Sequence, residues 1–413
     1  MYKPLVISRQ YLWEKNAVGQ IQRVFWEYLY DQGVRPTILC PKTNENDVLI
    51  NRIKCEVIQT YCNRIPEYVL GLLKRILVDD FAYLPDYGYY SWAKLSAIKR
   101  AKYEAISGRY DYIHSVCRSY SSHLIALEAK KKSNLPWIAS FYDPWYDNPF
   151  RIFKSRFFSE RDRKYEASVA ANADAILHSN QAIYDEWVNR YGESIKEKMF
   201  IVPFVFNSNF KDENNSITKS KSSIFNITHI GTLFKDRDSV DFLKALCKVL
   251  SNHPELRERV ELNYVGTVTD EDRAFVNNNN LSQITHFWGY LSEKECGKYF
   301  EDADLFLAID GKNSKNIFFP SKIMKYFYYG KPILGLTPSH SALQYELNSS
   351  GNFCFNNDDI EGISKFIYRA LTEEGFLSGN DTAYWKNFTM ESVYPKYEKI
   401  VSNLINKNEY NSK

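Results

Sequence analysis

The stretch FFPSKIMKYFYYGKPILG, residues 318–335, carries a short helix and a buried strand in eighteen residues. Pro320 suits a first-turn position, where its missing N–H costs nothing. Gly330 with Pro332 just beyond it suits the stop. Ile323, Met324 and Phe327 form one apolar stripe, and PILGL (332–336) reads as a strand buried on both faces. First helical turns favour Asp and Glu, because the helix dipole places partial positive charge there. Here Ser321, Lys322 and Lys325 fall together instead, at spacings of three and four. Free N–H groups, a hydroxyl and two ammonium groups make an anion site suited to phosphate. The alternative is two solvated lysines at a small dipole cost.

Working outward from this helix–strand pair, the same alternation fills the chain. Before it stand the strands IFNITHIG (224–231), VELNYVG (260–266), ITHFWG (284–289) and DLFLAI (304–309), separated by helical segments at 238–252, 269–279 and 292–302. After it comes the helix DIEGISKFIYRALTEE (359–374). The N-terminal half repeats the scheme. Its strands are PLVIS (4–8), PTILC (36–40), YDYIHS (110–115), PWIAS (136–140), DAILHS (174–179) and KMFIVP (198–203). Its helices are expected at 19–33, 119–133, near 155–172 and at 180–192. Short apolar strands alternating with longer helices mean βαβ units and parallel sheets.

The polar stretch 207–223 lacks apolar periodicity and reads as a linker. The fold expectation is therefore α/β, with two doubly wound domains and a cleft between them. Domain bounds are expected at 1–206 and 224–380. A tail at 381–413 is expected as two helical pieces, broken near Pro395 and returning to the N-terminal domain.

Bulk properties narrow the function. The chain has 413 residues, enough for two or three domains. A net charge of +3 excludes a bulk nucleic-acid binder. The basic surplus lies in residues 1–205, which is compatible with an anionic membrane surface or acceptor, or with no such partner. Seven scattered Cys without a CxxC pair argue against a zinc site and for a reducing, cytoplasmic setting. No apolar run is long enough to span a bilayer. Residues 64–81, RIPEYVLGLLKRILVDDF, are amphipathic; they fit either a helix packed on its own domain or one lying on a membrane surface.

Two further stretches carry chemistry. In HIGTLFKDRD (229–238) a strand runs into Gly231 and Thr232, where backbone can approach a phosphate that Lys235 and Arg237 neutralise. In PWIASFYDPWYDNPF (136–150) a strand ends near Asp143, which can orient or deprotonate an acceptor hydroxyl or serve only as a turn residue before Pro144. His123 and His114 lie near the same edge, as site residues or as packed histidines.

HIGTLFKDR, FWGYLSEKECGKYFEDADLFLAI and FPSKIMKYFYYGKPIL, in that order, resemble the GT-B glycosyltransferases of family 4. The N-terminal segments YLPDYGYYSWAKLSAIKRAKYEAISGRYDYIHS and LPWIASFYDPW are similar to members that build bacterial surface polysaccharides. The resemblance covers residues 1–375 and implies two Rossmann-like domains. It implies a retaining transfer from a nucleotide-sugar donor, UDP- or GDP-linked, with no cofactor and no metal. The acceptor it implies is a glycan or lipid-linked sugar, at the cytoplasm or the inner face of the membrane. By position, Gly231 and Arg237 match the diphosphate loop, Ser321 and Lys322 the start of the donor helix, and Gly19 a glycine-bearing loop near donor phosphate and acceptor. The reading of the residues themselves adds Thr232 and Lys325 as donor contacts, Asp143 as the catalytic group and His123 at the acceptor or phosphate loop. The segment FWG (287–289) matches a loop that borders the base.

One departure stands out. The family pairs two glutamates eight positions apart to hold the ribose. Here the positions are Ile317 and Lys325, and a lysine cannot accept a hydrogen bond. A non-catalytic homologue acting as a scaffold in glycan assembly is the alternative function. A sugar-nucleotide epimerase is a third, but it would need more carboxylates and histidines than the sequence places.

Overall fold

The structure is a computed structural model, which describes all residues except 15, 43–46, 64, 66–68, 70–85, 87, 118, 147, 149–155, 206–223, 313–316, 321 and 412–413. The linker at 207–223, Ser321 and nearly all of the amphipathic stretch 64–81 lie outside the described residues. The chain divides into two compact units, Met1–Asn207 with Phe388–Lys413, and Ser208–Asn387.

The first unit is built on a seven-stranded parallel sheet. Its strands are β1 (Pro4–Ile7), β2 (Thr37–Pro41), β3 (Glu56–Thr60), β4 (Tyr112–Val116), β5 (Trp137–Phe141), β6 (Ala175–His178) and β7 (Met199–Ile201), in the order β3-β2-β1-β4-β5-β6-β7. β1, β2, β4, β5 and β6 are buried along their whole length, as expected of strands covered on both faces. The helix Ala17–Asp31 starts at Asn16, whose side chain accepts from Gly19 N, and packs Phe25, Trp26 and Leu29 into the core. A wide π-helical stretch, Tyr89–Ala97, carries Trp92, whose Nε1 donates to Thr60 Oγ1 at 2.8 Å.

The tail forms two helical pieces, as expected, but the break falls elsewhere: a short tight turn of helix, Tyr384–Phe388, is followed by Met390–Asn411, one helix with Pro395 inside it. Met390, Val393, Tyr397, Ile400 and Val401 make one buried stripe running through the proline into the first unit's core. A proline near a helix start removes only one hydrogen bond, and this stripe outweighs that loss. Tyr397 Oη lies 3.0 Å from Tyr112 Oη and 2.9 Å from His114 Nδ1, which fixes the helix to β4.

The second unit holds a six-stranded parallel sheet. Its strands are β8 (Phe225–Ile230), β9 (Val260–Val265), β10 (Thr285–Gly289), β11 (Leu305–Ile309), β12 (Ile333–Leu336) and β13 (Phe353–Phe355), in the order β10-β9-β8-β11-β12-β13. Capping boxes at Thr269/Asp272 and Ser292/Glu295 start the helices Asp270–Asn278 and Glu293–Asp302. In both sheets the chain winds outward in one direction and then in the other. The reversal falls between β1 and β4 in the first unit and between β8 and β11 in the second. Ligands of open α/β sheets bind beyond the carboxyl ends of the strands at such a reversal.

Candidate functional site

The reversal in the second unit gathers most of the residues expected to hold a donor. β8 delivers Gly231, whose N–H donates to Val265 O at 2.8 Å. A Cβ built on Gly231 would lie 3.0 Å from Lys322 Nζ and 3.2 Å from His229 Nε2. The backbone is thus open where two nitrogen-bearing side chains meet. Lys322 is exposed as a residue, yet its Nζ reaches in over this glycine. Crowding by protein atoms, then the like charges of Arg237 and Lys325, hold its pKa below the ordinary lysine range.

Arg237 closes the other side. Its Nη2 donates to Asp310 Oδ1 at 3.1 Å, just past β11. Asp310 is fully buried, and its second oxygen accepts from Thr337 Oγ1 at 3.1 Å. Asn357 Nδ2 donates to the Asp310 carbonyl at 3.0 Å. The carboxylate therefore anchors the guanidinium to the ends of β11 and β12. Thr232 and Lys235 are exposed on the loop between, and Lys235 adopts a left-handed backbone, φ 55°.

The lysine-bearing helix spans Ile323–Tyr329, so it begins three residues later than the sequence suggests, with Lys322 at its cap. Pro320 lies ahead of it, and its carbonyl accepts from Ile323 N at 2.9 Å. Gly330 closes it in a left-handed conformation, φ 62°. Ile323, Met324, Tyr326 and Phe327 are buried, and Tyr326 Oη accepts from Ile230 N at 2.8 Å. That bond ties this helix to the end of β8 and sets Lys322 beside Gly231. Lys325 lies 5.8 Å above the Phe300 ring, and Ile317 is buried. Neither expected ribose glutamate has a carboxylate at its position.

At the end of β10, Trp288 is 45% exposed and donates from Nε1 to Asn263 Oδ1 at 2.9 Å. His286 stacks beside it at 5.7 Å. This aromatic surface suits a planar ring.

The first unit scatters its candidates. Gly19 lies inside the helix Ala17–Asp31 rather than in a loop. A Cβ there would meet Gln10 O at 2.5 Å and Trp13 O at 2.7 Å, so the residue lets the helix press on the turn after β1. His123 is fully buried, with Nδ1 2.7 Å from Ser115 Oγ and its ring 4.2 Å from Phe141. It occupies one face of the sheet. Trp26, from the glycine-bearing helix, packs on His114 on the opposite face. His114 is held at both nitrogens, by Tyr397 and by Ser140 Oγ at 2.8 Å. Burial pushes the pKa of both histidines down to about 3.

Asp143 lies two residues past β5, half-buried, in a firmly held turn. Tyr120 Oη donates to Pro144 O at 2.6 Å, and Trp145 stacks on Tyr120 at 4.7 Å. Tyr146 N donates to Glu166 Oε2 at 2.7 Å. Glu166, fully buried, also accepts from Arg190 and from Tyr191 Oη. Among the described residues no three His, Cys, Asp or Glu side chains cluster as metal ligands would. No described helix is long and apolar enough to cross a membrane.

Sequence reasoning missed His229, Asp310, Thr337 and Asn357. The signal for Asp310 was a carboxylate directly after an apolar strand run. His229 reads as one more residue of β8.

No family profile and no curated protein matches the sequence. Solved structures match over almost the whole chain. Anabaena HepE in complex with UDP and glucose superposes with a TM-score of 0.65 at 12% identity, over 97% of this chain and 100% of that one. Sucrose-phosphate synthase from Thermosynechococcus elongatus gives 0.63 at 15%, over 98% and 100%. The lipopolysaccharide outer core galactosyltransferase WaaB gives 0.64 at 13%, over 98% and 99%. The fold is therefore the two-domain GT-B fold of glycosyltransferases.

Proposed function

We propose that the protein is a glycosyltransferase that binds a nucleotide sugar in its second unit and passes the sugar to a glycan or lipid-linked acceptor held by the first. The observation that carries this reading is the meeting of Lys322 Nζ and His229 Nε2 over the bare Cα of Gly231, with Arg237 alongside, at the strand reversal of a GT-B fold. The leaving group of such a transfer is a nucleoside diphosphate. Its developing charge needs fixed donors, and Lys322 and Arg237 supply them without a metal. Arg237 is prealigned by Asp310, so little reorganisation accompanies binding. Trp288 would border the base. Asp143, on its braced turn, would orient the acceptor hydroxyl.

HepE holds UDP, which makes UDP-sugars the first donors to test. Its fellow neighbours act on unlike acceptors by their names, so the fold leaves the acceptor open. The match to WaaB and the N-terminal motifs favour a surface polysaccharide, built at the cytoplasmic side of the membrane with retention of configuration. Lys325, standing where a ribose-binding glutamate is expected, favours a second reading, a non-catalytic scaffold.

Calorimetric titration with UDP, GDP, ADP and their common sugars tests both. Micromolar binding of one nucleotide, with hydrolysis or transfer of its sugar, supports the enzyme. Binding without turnover on any acceptor supports the scaffold, and no binding by folded protein removes the donor site.

A further inference from the structure

His229 is 6% exposed, and its two ring nitrogens face different surroundings. Nδ1 lies 2.9 Å from Leu307 O on β11. A carbonyl only accepts, so Nδ1 carries the proton and the neutral ring presents Nε2 as a bare acceptor. Nε2 is buried and has no hydrogen-bond partner among the described residues. An unmade buried hydrogen bond costs roughly 1–3 kcal/mol, so its retention needs a reason. The atom faces the space over Gly231 that Lys322 Nζ also faces.

The charged and titratable groups around the ring come from four elements. Lys322 precedes the helix Ile323–Tyr329, and Arg237 follows β8; both disfavour a second proton on the imidazole. Asp272, on the helix Asp270–Asn278, favours one, but its oxygens are already taken by Ser239 and Thr269. Tyr264 of β9 packs its ring 6.0 Å away and donates its hydroxyl to Ser239. Burial and the two cations press the ring's pKa down to about 4.

We propose that His229 is a proton-accepting arm of the anion site: when a phosphate diester fills the space over Gly231, Nε2 takes a proton from solvent and donates it to a phosphate oxygen. An anion there offsets Lys322 and Arg237 and turns the orphaned acceptor into a charge-assisted donor. One proton leaves the buffer for each ligand bound, and no covalent bond between heavy atoms changes. This deepens the donor-site reading and rests on it.

The test is titration of the full-length protein with UDP-glucose and GDP-mannose in two buffers of unlike ionisation enthalpy, from about pH 5.5 to 7.5, where the diester itself does not titrate. Wild type is expected to take up a sizeable fraction of one proton per ligand. Its affinity should rise as pH falls, with tenfold per pH unit as roughly the one-proton limit. His229→Gln should bind with no uptake and a flat pH profile. Binding by wild type without uptake overturns this inference and leaves the donor reading standing. Uptake that survives in a folded His229→Gln variant also overturns it. If neither sugar nucleotide, nor any of UDP, GDP and ADP with their common sugars, binds folded wild type, the donor reading falls and takes this one with it. The wild-type measurement decides the matter even if the variant does not fold.

Discussion

Arg237 Nη2 lies 3.1 Å from Asp310 Oδ1, and this contact joins the loop after β8 to the end of β11 across the sheet reversal. Asp310 is fully buried, whereas the Arg237 side chain is 22% exposed. The arginine therefore has two tasks, neutralising a buried carboxylate and facing the candidate anion site. Removing one partner of such a pair costs about 3 kcal/mol or more, because the other charge stays behind. Arg237→Ala is expected to lose both nucleotide affinity and stability. The double variant Arg237→Ala/Asp310→Asn should recover much of the stability but none of the affinity. Urea unfolding beside calorimetric titration checks this, and a double variant that regains affinity would show Arg237 to be structural only.

The two glycines of this corner separate binding from folding. At Gly231 an added methyl meets the flexible end of Lys322 and the edge of His229. Gly231→Ala should fold, with a stability change of about 1 kcal/mol, and bind the nucleotide at least about tenfold more weakly, about 1.4 kcal/mol. At Gly266 the methyl would lie 2.0 Å from Gly231 O, on a backbone with φ +121°. Neither backbone can yield cheaply, so Gly266→Ala should cost more than about 2 kcal/mol. Equal loss of stability in the two variants would contradict this division.

Lys325 stands three residues from Lys322 and contributes to the lowering of its pKa. If both ammonium groups serve a diphosphate, Lys325→Glu replaces attraction by repulsion. Affinity for the nucleotide should then fall about tenfold or more at low salt, and the difference should shrink as salt rises. A gain in affinity on Lys325→Glu would mean that the position is a former ribose contact.

Much of this architecture is legible in the chain because parallel strands buried on both faces read as short apolar runs. Every strand expected from such a run is present, its ends displaced by a residue or two, and the two that were not expected, β3 and β13, are the less buried edge strands Glu56–Thr60 and Phe353–Phe355. Three features were not legible, each for a physical reason. Pro320 looks like a helix start, but the helix waits for Ile323, where the buried face begins. Pro395 looks like a break, yet the stripe from Val393 to Val401 holds the helix together by tertiary packing. His229 carries no local signal, because the Lys322 ammonium it faces over Gly231 lies ninety-three residues away in the chain. The sequence singles out Lys322 by the missing acidic residues around the expected helix start, and the structure sets it at the cap of that helix.

Acid should unfold the first unit more steeply than the second. His114, His123 and His178, all in the first unit, are fully or almost fully buried, and burial lowers the pKa of each to about 3. In the second unit His229 is held at about 4. The unfolded chain binds protons at these sites near the ordinary value of about 6.5, whereas the folded chain does not. Stability is therefore complete above that value and declines as pH falls toward the folded pKa. Each histidine contributes a slope of up to about 1.4 kcal/mol per pH unit. Three such slopes act on the first unit and one on the second. Hydrogen exchange resolved by unit, compared at about pH 7 and pH 5, should show protection lost first around β4, β5 and β6. Tyr397→Phe removes the hydroxyl partner of His114 Nδ1 and should lower protection in the first unit alone, at both pH values. If the second unit opens first on acidification, carboxylates rather than buried histidines govern the acid limit.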